Sequence, residues 1–126
     1  MGVMGFCWGV IGVILTAQDP QFKFGISFHP SFGLVPHVGL DNFEEISKVV
    51  VPQQYMYTLQ EDKFCWKGGE LYNLYQKVLG DKFEGLDYSD QNHGFMTRGS
   101  FSIPGLEKRY KESLNDALRF MKNYFS

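Results

Sequence analysis

Three residues of this 126-residue chain have the types and the order of a nucleophile, an acid and a histidine base: Cys7, Asp62 and His93. Cys7 sits in Gly5-Phe6-Cys7-Trp8-Gly9, between the apolar stub Val3-Met4 and the apolar run Val10 to Ala17. That pattern fits an elbow, in which the chain leaves a strand, turns within one residue and enters a helix, holding the nucleophile in a strained conformation proud of the sheet. Glycines two positions to either side remove the Cβ atoms that would collide in so tight a turn. The helix that follows lowers a thiol's pKa through its free N–H groups and partial positive charge. The same five residues also read as a glycine-rich strand-to-helix turn with a buried cysteine, and spacing alone leaves both open.

The elements that must position these residues are legible as runs. Phe22 to His29, ended by Pro30, reads as a strand, and so do Gln54 to Leu59 and, more weakly, Phe83 to Tyr88. Leu34 to Leu40 is a Pro/Gly-containing loop, and Asp41 to Ile46 has the form of a capped short helix. Lys67 to Leu79 carries Leu71, Leu74, Tyr75 and Val78 at helical spacing and stops at Gly80. Ser113 to Phe125 reads as a closing amphipathic helix with Leu114, Leu118, Met121 and Phe125 on its apolar face. Strands alternating with helices predict an α/β fold with a mostly parallel sheet, and ligands of such sheets sit at the carboxyl ends of the strands. Cys7, Asp62 and His93 each follow a strand there. His29 and Ser31 follow another and are candidate pocket residues, and Arg98, five positions after His93, is a candidate for a substrate carboxylate.

The order nucleophile, acid, histidine is that of α/β-hydrolase triads, and differs from the orders of chymotrypsin-like and subtilisin-like enzymes. GFCWG, FKFGISFHPS, the Asp62 turn and above all His93-Gly94-Phe95 with Arg98-Gly99 resemble the C-terminal half of the dienelactone hydrolase family, from Gly2 to the final helix. The resemblance implies one partial α/β-hydrolase domain over residues 1–126, lacking the strands that precede the elbow. It also implies hydrolysis of a small ester or lactone by a Cys-His-Asp triad, with no metal or organic cofactor. In that scheme His93 takes the Cys7 proton, Asp62 holds the imidazole, and the backbone N–H of Trp8 receives the oxyanion. An acyl-thioester then forms and is released by water.

The chain departs from the family's pattern at Val10, where a second elbow glycine is common, and at Leu59, where a glycine often opens the acid turn. The second departure leaves Glu61 as the neighbouring alternative to Asp62. The larger departure is the expected absence of the segment before the elbow, with the loop for a second oxyanion donor and an acidic residue that engages the resting thiol. That leaves two functional readings: part of a longer or split hydrolase, completed by an N-terminal segment or a partner chain, or a hydrolase remnant serving as a binding or structural subunit.

Composition bounds the rest. With 44% hydrophobic, 17% aromatic and 21% charged residues, the chain has material for one packed core. Twelve basic against fourteen acidic side chains, without a Lys/Arg cluster, argue against nucleic acid or an anionic membrane as partner. A removable leader is disfavoured because no Lys or Arg precedes the first apolar run and Gly2, Gly5, Gly9 and Gly12 interrupt it. The run also meets Gln18-Asp19-Pro20 too early for a membrane span, which needs about 20 apolar residues. Cys7, Cys65, His29, His37 and His93 lack zinc-ligand spacing, and no phosphate-binding glycine loop occurs. Two cysteines suit a cytoplasmic enzyme with one working thiol, Cys7, and one packed thiol, Cys65.

Overall fold

In the computed structural model, which describes residues 1–125, the apolar runs become a sheet of parallel strands in the order β1-β2-β3-β4. The strands are β1 (Val3–Phe6), β2 (Gly25–Phe28), β3 (Gln53–Thr58) and β4 (Phe83–Tyr88), and their register sets Gly5, Ser27, Tyr55 and Gly85 side by side. Helices α1 (Val10–Thr16), α2 (Asn42–Ile46), α3 (Glu70–Leu79) and α4 (Leu106–Tyr124) cover the faces. Every residue of β2 and β3 is buried, the pattern of a parallel sheet covered on both sides.

Alternation along each strand distributes side chains to two cores. Tyr55 and Tyr57 of β3 meet Val10, Ile14, Ile46, Leu71 and Tyr75 from the first three helices. Ile26, Phe28, Met56 and Tyr88 meet Leu106, Ala117 and Phe120 of α4. Full burial of one such aliphatic or aromatic side chain contributes about 1.5–3 kcal/mol, so these two layers hold the strand ends that carry the site. Asp41 caps α2 by accepting from the Glu44 N–H at 2.9 Å, as its sequence predicts.

Several boundaries differ from the sequence expectation; β3, for one, begins and ends one residue earlier than Gln54 to Leu59. β2 is confined to four residues: Phe22 closes a turn by donating its N–H to the Asp19 carbonyl, the Lys23 N–H donates to the Met1 carbonyl, and His29 enters the left-handed region at φ 37°. α3 begins at Glu70 instead of Lys67, since Gly68 takes φ 89° and Gly69 packs on the Phe64 carbonyl, which a Cβ would meet at 2.3 Å.

The last helix begins at Leu106 rather than Ser113, and it turns a different face inward. Its buried residues are Leu106, Ser113, Ala117 and Phe120, while Leu114 and Leu118 are 39% and 52% exposed. Small side chains at Ser113 and Ala117 let the helix approach the sheet. There Gln54 donates to the Asp116 carbonyl at 3.1 Å and the Ser113 hydroxyl donates to the Tyr110 carbonyl at 2.7 Å. The leucines lie on the outer flank. No helix among the described residues is long and apolar enough to cross a membrane. β1 pairs with β2 along one edge; its other edge has no strand partner among the described residues, and Met4, Phe6 and Trp8 beside it are exposed.

Candidate active site

Phe6 ends β1 in extended conformation and Cys7 follows at φ 58°, starting the 3-10 turn Cys7–Gly9 that runs directly into α1. A positive φ is costly for a residue with a Cβ and clusters at functional sites. Gly5 permits the turn: a Cβ there would lie 2.7 Å from the Gly9 carbonyl oxygen and 2.9 Å from Val13 Cγ2. Gly9 faces open space, so only one of the two elbow glycines is sterically required. Val10, the departure from the family's pattern, is accommodated in the core of the helix side.

His93 reaches Cys7 from the loop after β4. Its Nε2 lies 3.0 Å from Cys7 Sγ, and the two atoms belong to loops at the same end of the sheet. The loop is laced to the one after β3: the His93 N–H donates to Gln60 Oε1 at 2.6 Å, Gln60 Nε2 donates to Asn92 at 2.8 Å, and the Leu59 N–H donates to the Gln91 carbonyl at 3.0 Å. Gly94 turns at φ 87° immediately after the histidine, which throws Phe95 into the core against Tyr88.

The carboxylate on His93 Nδ1 is that of Glu61, not of Asp62. The reason is local. The turn after β3 folds back, so the buried Glu61 side chain accepts from the Thr58 N–H and, at 2.5 Å, from the Thr58 hydroxyl, which aims its other oxygen at the imidazole. One residue later the chain has entered the 3-10 turn Lys63–Cys65, where the Asp62 carbonyl accepts from Cys65 N–H and its side chain is exposed beside Gly33. An adjacent acidic pair was the available sequence signal. The longer glutamate reaches back to the strand end, whereas nothing in the pattern shows which way the turn runs. Thr58 and Gln60, which hold the acid and the histidine loop, carried no signal of their own.

His29 is also not where the sequence reading put it. It is fully buried, lines neither cleft beside the site, and lies edge-on against His93 with ring centroids 5.0 Å apart. Neither ring nitrogen has a hydrogen-bond partner among the described residues. Burial, and next the charge of His93, push its pKa down to about 4, so it is a neutral wall.

The electrostatics favour a charged pair at Cys7 and His93. Burial alone would raise the thiol, but the hydrogen bonds it shares with Ser31 and His93, the charge on His93 and the Trp8 N–H bring it below the usual thiol value. Burial would likewise lower His93, and the contacts with Glu61 and Cys7 more than offset this, so its pKa is raised. Cys65 is the opposite case, completely buried and pushed far up by desolvation. Brief iodoacetamide treatment at neutral pH is therefore expected to alkylate Cys7 while sparing Cys65, as read by peptide mass spectrometry; equal labelling would contradict this electrostatic picture.

Two open clefts meet at His93. One, of about 270 Å³, is lined by Ser31, Gly33, Gln60 and Asp62; the other, of about 240 Å³, by Asn92, Arg98 and Ile103. The Arg98 side chain packs over Gly94, whose added Cβ would lie 2.7 Å from its Nε, and Arg98 forms no ion pair among the described residues. The arrangement brings a thiol, an imidazole and a buried carboxylate into one line, with open space on both sides of the imidazole.

The profile of the dienelactone hydrolase family matches residues 1–125. Among curated proteins none matches. A solved Klebsiella pneumoniae structure, of a protein assigned as a dienelactone hydrolase, superposes with a TM-score of 0.69 at 18% identity, over 98% of this chain and 52% of its own. An esterase of Pyrococcus furiosus superposes with a TM-score of 0.65 at 14% identity, over 99% of this chain and 53% of its own. An acylaminoacyl peptidase of Pyrococcus horikoshii gives 0.64 at 18% identity, over 90% and 22%. The fold is thus of α/β-hydrolase type, and the chain spans about half the length of the first of these structures.

Proposed function

The chain belongs to the dienelactone hydrolase family, and from that premise we propose that it carries the catalytic groups of a hydrolase of small esters or lactones. What supports this most is one contact: a cysteine sulfur at a positive-φ elbow, 3.0 Å from an imidazole whose other nitrogen faces a buried carboxylate.

The Cys7 thiolate attacks the ester carbonyl carbon, forming a C–S bond and an oxyanion that accepts the Trp8 N–H. His93 Nε2–H gives its proton to the departing alkoxide as the C–O bond breaks. Water then adds to the thioester, passing a proton to Nε2, and the C–S bond breaks to return the thiolate and release the acid. Glu61 keeps the ring proton on Nδ1 and offsets the imidazolium charge throughout. In this reading Arg98, which lines the second cleft, takes a carboxylate of the substrate. A second oxyanion donor is, in the same reading, supplied by a segment, of this protein or of a partner chain, that pairs with the edge of β1 lacking a strand partner among the described residues.

Mixing the protein with an activated aryl ester tests the proposal. The expected result is a burst of phenol stoichiometric with protein and an acyl group mapped to Cys7 by peptide mass spectrometry. Acylation elsewhere would overturn the nucleophile assignment. No turnover even with the β1 edge paired would favour a binding or structural subunit instead.

A further inference from the structure

Ser31 stands at the Cys7–His93 pair without a role in the reaction described so far. Its Oγ lies 3.3 Å from Cys7 Sγ and 3.4 Å from His93 Nε2, and these are the hydroxyl's hydrogen-bond partners among the described residues. The placement is fixed by backbone: the Ser31 N–H donates to the Cys7 carbonyl at 2.9 Å, and the Ser31 carbonyl accepts from Leu34 at 3.0 Å. A loop from the end of β2 is thereby tied to the peptide unit of the nucleophile itself.

We propose that Ser31 is a positioning residue that donates its hydroxyl proton to the Cys7 sulfur and holds it as the thiolate before substrate arrives, an assignment that rests on Cys7 being the nucleophile.

Counting donors supports the direction of this bond. Glu61 occupies His93 Nδ1, so in the charged pair the ring offers one further proton, on Nε2, and that proton points to sulfur at 3.0 Å. A hydroxyl has one proton and two acceptor sites. With the sulfur anionic, donation from Ser31 to it is favourable, while a neutral thiol would compete with the hydroxyl for the same imidazole lone pair. The other ionisable groups around the pair do not substitute for it: Glu61 acts through the ring, Asp62 is exposed on the cleft that Ser31 lines and has no proton donor to offer as a carboxylate, Arg98 lies in the cleft on the other side of His93, and His29 is neutral behind it. Once the thioester forms, the sulfur is no longer an anionic acceptor, and the hydroxyl is released toward the cleft that Ser31 lines.

The test is the pH dependence of Cys7 alkylation by iodoacetamide in the wild type, Ser31→Ala and Ser31→Thr, followed at the Cys7 peptide. Ser31→Ala removes the hydroxyl and keeps the backbone bond to Cys7. It is expected to raise the apparent thiol pKa by about half to one unit, so that labelling below the pKa slows about three- to tenfold. Ser31→Thr, which retains the hydroxyl, is expected to restore the wild-type profile. A purely structural role would lower thermal stability and leave the midpoint in place. Superimposable wild-type and Ser31→Ala profiles would overturn the role of Ser31 and leave Cys7 as nucleophile. A wild-type midpoint at the ordinary thiol value of about 8.5 would overturn both.

Discussion

Glu61→Gln is expected to lower kcat/KM on an activated aryl ester by about 10⁴-fold, the scale for replacing the acid of a triad by its amide, while Asp62→Asn changes it less than about tenfold. Glu61 is held from two sides. One oxygen takes the Thr58 N–H and hydroxyl, and the other takes the imidazole proton on Nδ1. An amide cannot serve both. Turned one way, its NH₂ opposes the Thr58 N–H, two donors in a buried place. Turned the other way, its NH₂ faces Nδ1, which must then accept, and the ring proton is forced onto Nε2, where the base must be free to take one. Asp62 has an exposed side chain and touches no histidine, so its amide removes only a charge at the rim of a cleft. Steady-state kinetics of the two variants settle it. A large loss in Asp62→Asn with Glu61→Gln near wild type would restore the assignment expected from sequence.

His29→Phe is expected to make the protein resist acid better, by up to about 3 kcal/mol at pH 4. His29 is buried and neutral, with its folded pKa pushed down to about 4 by desolvation and by His93. The unfolded chain binds a proton at this site below about pH 6.5, and the folded protein does not until about pH 4. As pH falls through that window the unfolded state gains protons that the folded state cannot, so stability is lost with acid. Phenylalanine abolishes the linkage and gives up no hydrogen bond, since neither nitrogen of His29 has a partner among the described residues. Its ring would meet Phe6, Phe95 and His93, which already surround the imidazole at 5.0 to 6.1 Å between centroids. Denaturant unfolding from pH 7 to pH 4 in both proteins measures the difference. Parallel acid limbs would show that His29 is protonated in the fold.

Several parts of this protein were determined by the sequence itself. The elbow was legible because a turn of that tightness needs Gly5, and the residue between strand and helix is the one held at positive φ. The alternation of strands and helices was legible because period-2 and period-3.6 apolar patterns are properties of short segments. The position of His93 at the end of the sheet was legible because it follows the Phe83–Tyr88 run through a short polar loop, and strand ends are set by local pattern.

What the tertiary structure alone decided concerns direction. Whether Glu61 or Asp62 meets the histidine depends on how the turn after Thr58 runs relative to a loop 32 residues away in the chain, and adjacent residues of one charge look alike until that loop is present. Leu114 and Leu118 have the spacing of a buried face, yet α4 seats Ser113 and Ala117 on the sheet because the closest helix approach favours the smallest side chains. His29 lies at a strand end like a pocket residue, but its left-handed φ goes with a ring buried beneath His93 rather than in either cleft. Local pattern determines which element forms and where it turns. Which side chain of a neighbouring pair reaches the site is a matter of long-range packing, where a single residue of rotation exchanges one for the other.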